Sequence, residues 1–305
     1  MPDAEIQQLI EELHSLRDGE QAVIRLISLG WKAVGPLREF LLQSAPVSVY
    51  QPRRWAVEAL AALGAKDVLI EYLLREDKVS DPVVRLGEEA VENAAARALA
   101  EWQDVEAFLA LSMVSERKLL AGVVDGLGRF GRMESIPYLQ RALEDDLCRE
   151  AAEAALRNMG AAARPSLIAS ALIPRPSMGE ESPSSVRRRR SALNILGEMG
   201  MGDEDRKALF PLLNDADPEI VIRAATILEP GAAGEQRRQM ARRLLEVLPA
   251  ADWTFREDLE SCLQRLFADA RLEIEQEIAR RMALPAKDRI LDFALRVLLR
   301  VRSRC

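Results

Sequence analysis

Residues 131–160 read GRMESIPYLQRALEDDLCREAAEAALRNMG, and this stretch decides the fold. Apolar residues recur at helical spacing in two runs, separated by the acidic turn at Asp145 and Asp146. The stretch opens and closes on glycine, so it reads as helix, turn, helix, stop. Counting back from Gly160 gives the rule for the rest of the chain. One position before it stands Met159, four before stands Leu156, and eight before stands Ala152. These offsets place all three on one helix face. Small residues admit a neighbouring helix, Leu fills the space between, and Gly suits a left-handed helix end.

The same offsets recur outward in both directions. Gly30 follows Ala22, Leu26 and Leu29; Gly64 follows Ala56, Leu60 and Leu63; Gly131 follows Val123, Leu127 and Phe130; Gly200 follows Ala192, Leu196 and Met199. A further copy has Ala95, Leu99 and Trp102, with Gln103 where glycine stands elsewhere. A weaker copy has Ala224 and Leu228. A repeat of this regularity predicts an array of helical hairpins in place of an ordinary bundle. Alternation at period two is nearly absent, which argues against a sheet.

The expected helices run over 4–17, 20–29, 33–44, 53–63, 66–76, 82–101, 103–113, 116–130, 133–144, 146–159 and 162–172. They continue over 217–228, 234–248, 251–268, 270–283 and 286–302. A loop, APVSVYQP, precedes 53–63, and EDKVSDP precedes Pro82. Asp81–Pro82 and Asp217–Pro218 read as N-cap followed by first helical residue. Gly160 to Gly200 spans 40 positions against 29 from Gly131 to Gly160. The extra length matches 174–185, rich in Pro, Ser and Gly, which reads as an inserted surface loop with little to bury. The expected organisation is one array over 1–305. Residues 1–19 are a cap with Ile6, Leu9, Ile10, Leu13 and Leu16 as its apolar stripe, 20–231 are regular repeats, and 232–305 are divergent end repeats.

Composition narrows the function classes. The net charge is -7, from 49 acidic and 42 basic residues, so no global attraction to nucleic acid or anionic membrane is expected. The N-terminus MPDAEIQQLIEEL does not read as a signal peptide, and no apolar run approaches a membrane span. Cys148, Cys262 and Cys305 have no disulfide or metal spacing, and a reducing cytoplasm is expected. His14 is the single histidine, and P-loop and HExxH motifs do not occur. No cofactor, metal or catalytic residue is therefore expected.

The unit resembles HEAT repeats, in particular the short variety of bacterial HEAT-repeat proteins and phycobilin-lyase-like proteins. The residues that carry the resemblance are Arg54, Ala56, Leu60, Leu63 and Gly64, then Arg149 and Ala152, and Asp215 and Asp217 leading to Arg223 and Ala224. It covers about 20–230. It implies an all-α, right-handed α-solenoid whose second helices line a concave side.

Four arginines at related positions, Arg54, Arg149, Arg190 and Arg223, are expected to pair with turn carboxylates and tie repeats together. The run Arg187–Arg190 offers an electrostatic anchor, although four consecutive helical residues point in different directions. Trp55 is expected to be partly exposed, whereas Trp102 takes a core position. The second helices should expose Arg54, Glu58, Asp125, Arg129, Glu153, Arg157, Asn194 and Glu198, of both charge signs. Mixed sign suits a protein surface better than a phosphate backbone. The leading expectation is a non-enzymatic scaffold for a protein or peptide partner, bound through Arg54, Trp55, Arg129, Arg157, Arg187, Arg188, Arg190 and Asn194. A nucleic-acid protein similar to HEAT-like alkylpurine DNA glycosylases is the alternative, and a lyase-like role the third.

Overall fold

The computed structural model describes residues 2–43, 46, 49–76 and 79–305. The turns expected at 45–52 and 76–82 fall partly outside them. The protein is an all-α array of helical hairpins, organised as two compact units, Met1–Met159 and Gly160–Cys305.

The first unit holds five hairpins. They are α1 (Pro2–Glu12) with α2 (Gly19–Ser28), α3 (Val34–Gln43) with α4 (Gln51–Ala62), and α5 (Lys66–Leu74) with α6 (Pro82–Ala100). Then come α7 (Val105–Arg117) with α8 (Ala121–Phe130), and α9 (Ile136–Ala142) with α10 (Arg149–Met159). Each second helix packs on the next, α2 on α4, α4 on α6, α6 on α8 and α8 on α10. The stacking stripe is the one the spacing predicts: Ala22, Leu26, Ala56, Leu60, Ala95, Leu99, Val123, Leu127, Ala152 and Leu156 are all buried. The residue just before each closing position is different. Leu29, Leu63, Trp102, Phe130 and Met159 are only half-buried, so Trp102 is not a full core residue.

Gly30, Gly64, Gly131 and Gly160 all have positive φ, as the left-handed stop requires. Gln103, in the glycine-less copy, also has φ 51°, and its side-chain amide donates to the Ala100 carbonyl at 2.7 Å. The repeat therefore imposes its turn even where the residue type resists it. At Gly122 the α6 backbone approaches so closely that a Cβ would lie 2.2 Å from the Asn93 carbonyl oxygen.

Two boundaries differ from expectation. The first helix ends at Glu12, so Leu16 leaves the stripe and is 83% exposed. The helix expected from 116 begins only at Ala121. Lys118 and Leu120 are extended, and the Tyr138 hydroxyl accepts from the Leu120 N–H at 3.1 Å.

The second unit holds α11 (Arg164–Leu172), a hairpin of β1 (Pro176–Ser177) and β2 (Glu180–Glu181), and α12 (Pro183–Met199). It continues with α13 (Asp203–Leu209), α14 (Pro218–Leu228), α15 (Glu235–Val247), α16 (Arg256–Met282), α17 (Ala286–Leu291) and α18 (Phe293–Arg304). Gly200 again has positive φ over buried Ala192 and Leu196. The helices expected at 251–268 and 270–283 are two helices that meet at a kink at Ala270 (φ −122°, ψ 25°) within α16, the first starting at Arg256. The single helix expected over 286–302 is broken at Asp292, whose carboxylate caps α18 through the Leu295 N–H. Asp81 and Asp217 cap α6 and α14 in the same way.

The inserted segment is more ordered than its composition suggests. Met178 and Gly179, both with positive φ, turn β1 back onto β2, and α12 already starts at Pro183. Ser185 is fully buried: its hydroxyl accepts from the Arg175 N–H at 2.9 Å and donates to Glu181 at 2.6 Å. The expected surface loop is thus an exposed hairpin fastened at its base.

Candidate functional site

The exposed side of the second-helix row in the first unit carries the residues expected to meet a partner. Positions six and two before the closing residue face outward. In α6 these are Arg97 and Glu101; in α8 they are Asp125 and Arg129. The signs are reversed between neighbours, and two cross-helix pairs result. Arg97 Nε donates to Asp125 at 2.7 Å, and Arg129 pairs with Glu101. Arg54 is exposed and pairs along its own helix with Glu58 at 3.3 Å. Arg149 bonds the turn residue Asp146 at 2.6 Å, and Arg157 is half-buried with partners of its own. Trp55 is half-buried and covers Gly19 so tightly that a Cβ there would lie 1.9 Å from its ring. It is therefore a packing residue with one exposed edge.

In α4 the arginine that ties repeats together is Arg53, one position before the expected Arg54. It is 2% exposed and donates to Glu88 of α6 and to the Leu41 carbonyl at 2.8 Å. Tyr72 and Arg75 both donate to the same carboxylate at 2.6 Å, so buried Glu88 is fully neutralised. Desolvation, with Glu88 beside it, drives the Tyr72 phenol far above its ordinary pKa.

In the second unit the run Arg187–Arg190 divides by helix face. Arg188 is buried and donates to the Ile173 carbonyl at 2.6 Å; it was expected to anchor a partner, and it instead closes the end of α11. Arg189 is buried as well. It bonds the Ala171 carbonyl at 2.8 Å, Glu181 at 2.6 Å and Asp215. Arg187 is half-buried and engaged. Only Arg190 faces a cleft. It bridges Asp217 at 2.5 Å and Glu219 at 2.6 Å at the start of α14. Burial lowers its pKa, but those two carboxylates outweigh it and hold the guanidinium above its ordinary value.

Glu219 also accepts from Arg223 at 2.8 Å, and Arg223 donates to Asn194 and lies over the Phe255 ring at 5.4 Å. The structure thus brings two expected residues, Arg190 and Asn194, into one polar network. It borders a cleft of about 360 Å³ lined by Arg190, Glu219, Asp252, Thr254 and Phe255. Sequence reading missed Asp252 and Phe255, because they belong to the turn before α16, where the repeat signature has faded.

Among the described residues, no group of three or more His, Cys, Asp or Glu side chains is placed to hold a metal ion. No described helix is long and apolar enough to cross a membrane.

The stacked helical hairpins define an all-α helical-repeat protein. No family profile matches the chain, and no curated protein matches it. Among solved structures it is similar to human deoxyhypusine hydroxylase in complex with glycerol. The identity is 17%, over 86% of this chain and 96% of that one, with a TM-score of 0.32. It is also similar to an engineered protein at 15% identity, over 98% of each chain, with a TM-score of 0.36. Superposition this loose carries no argument about activity.

Proposed function

We propose that the protein is a non-enzymatic scaffold that binds a protein or peptide partner along its second helices. The observation that carries this reading is the unbroken row of five second helices in the first unit, with outward charges of both signs. Such a face is larger than a small molecule needs and matches a macromolecular partner. Its pairs are solvent-exposed, and exposed pairs contribute only ~0–1 kcal/mol each. A partner with complementary charges replaces them at little cost, and the reversed signs on α6 and α8 set its register. The nucleic-acid reading loses residue support, because Arg188, Arg189 and Arg190 are engaged by internal carbonyls and carboxylates.

Site-specific photo-crosslinking in the native host tests the proposal. A crosslinking residue at Glu58 or Arg129 is expected to give discrete protein adducts. The same residue at Glu39 of α3 or Asp67 of α5, on the first-helix row, is expected to give none. Adducts from the first-helix row alone overturn the assignment.

A further inference from the structure

The first-helix row of the first unit contains a cavity of about 570 Å³ between α7 and α9. Its walls combine three kinds of group. The apolar part is Phe108, Leu109, Leu127, Pro137 and the Tyr138 ring. The cationic part is Arg132, whose guanidinium lies 4.4 Å from the Phe108 ring centre, and Arg141, 5.2 Å from that of Tyr138. Arg141 also donates to the Ser115 carbonyl. Stacking on a ring holds each guanidinium plane while leaving N–H edges for an oxyanion. Neither arginine forms an ion pair with a described carboxylate, unlike Arg97, Arg129 or Arg190.

The anionic part is Glu116 and Glu134, which line the same cavity and likewise form no ion pair with a described cation. Ser135 adds a buried hydroxyl. It is 3% exposed, lines the cavity, and its hydroxyl has no hydrogen-bond partner. A buried polar group without a partner is costly and marks a place where a ligand or ordered water belongs.

These groups discriminate between ligand classes. A purely apolar ligand would use none of the four charged groups at the cavity rim. A phosphate or other simple anion would satisfy the arginines but meet Glu116 and Glu134. A ligand with an apolar body, a carboxylate and an ammonium group satisfies every wall at once. We infer that this cavity binds a zwitterionic ligand with an apolar body, and that a short free peptide is its chemical class. The carboxylate lies against Arg132 and Arg141, the ammonium group against Glu116 and Glu134, and the side chains against Phe108 and Leu127. The cavity belongs to the first-helix row, so this inference is independent of the partner face proposed above.

The test is calorimetric titration of the full chain with the free dipeptide leucyl-phenylalanine, its C-terminal amide and its N-acetyl form. The free dipeptide is expected to bind saturably, and each blocked form to bind about tenfold or more weakly, the scale of a charge-assisted hydrogen bond. Arg132→Gln should remove the preference for the free acid over the amide, and Glu116→Gln the preference for the free amine over the acetylated form. Leu109→Trp, filling the cavity from an exposed wall position, should abolish binding even if the Arg132 variant folds poorly. Absence of saturable binding, equal affinity for all three forms, or binding that survives Leu109→Trp would overturn the inference. So would competition by inorganic phosphate at comparable strength, which would make the cavity a simple anion site.

Discussion

Replacing Arg189 by Met should cost the protein more stability than any other single arginine change in the run at 187–190. The side chain is 3% exposed and ends on three acceptors from separate elements: the Ala171 carbonyl of α11, Glu181 of the hairpin, and Asp215 before α14. Met preserves most of the apolar stem but satisfies none of them. Glu181 and Asp215 are only 20% and 14% exposed, so both charges stay largely desolvated once the guanidinium is gone. Breaking a buried pair in this way costs about 3–5 kcal/mol. Glu181→Gln removes one partner and leaves the rest in place, for an expected loss of about 1–2 kcal/mol. Arg189→Met combined with Glu181→Gln and Asp215→Asn leaves no stranded charge, and should recover much of the single-variant loss. Urea denaturation followed by circular dichroism measures all three. A loss below ~1 kcal/mol for Arg189→Met, or a triple variant no more stable than the single, refutes the argument that uncompensated charge dominates.

Leu127→Ala and Leu156→Ala, each deleting a buried stripe residue, should cost about 2–5 kcal/mol by chemical denaturation. Gly122→Ala sets a methyl group against the Asn93 backbone, which cannot yield as a side chain tip does, and should lower stability by about 1–3 kcal/mol. Cys148 and Cys262 are buried and Cys305 is exposed, so a thiol reagent on the native chain should modify Cys305 first and the other two only on unfolding. Burial pushes the thiols of Cys148 and Cys262 up to about 12 from an ordinary 9.0. The folded state therefore holds these protons more tightly than the unfolded one. Their contribution to stability is full below about pH 9 and falls as pH rises toward 12, which denaturation midpoints across that range will show.

The hairpin array was legible because its determinants are local and repeated: a stop residue, a small residue and a Leu at fixed offsets. Even Gln103 fits the pattern, since its neighbours Ala95 and Leu99 fix the register that its own type does not suggest. Arginine roles were legible only to within one residue. Adjacent helical positions differ by about 100° in direction, so Arg53 faces the core while Arg54 faces water. In a pair of consecutive arginines, composition does not say which is which. The same ambiguity hid the burial of Arg188 and Arg189. The cavity lined by Phe108, Glu116, Arg132 and Arg141 was invisible for another reason. Its residues come from three helices, α7, α8 and α9, and the turn before α9, at spacings set by packing alone. The order of the hairpin at 176–181 is not legible from composition, because it comes from single contacts of Ser185 and Arg189 with Glu181.

That hairpin leaves the register of the flanking repeats untouched: Ala192, Leu196 and Gly200 keep the offsets of the uninterrupted copies. The turn between α11 and α12 is thus a natural port for grafting. A foreign epitope or binding loop spliced between Pro176 and Glu180 should be displayed without loosening the array, provided Glu181 and Ser185 are retained. Those two residues are the socket, and the exposed tip at Met178 and Gly179 is the interchangeable part.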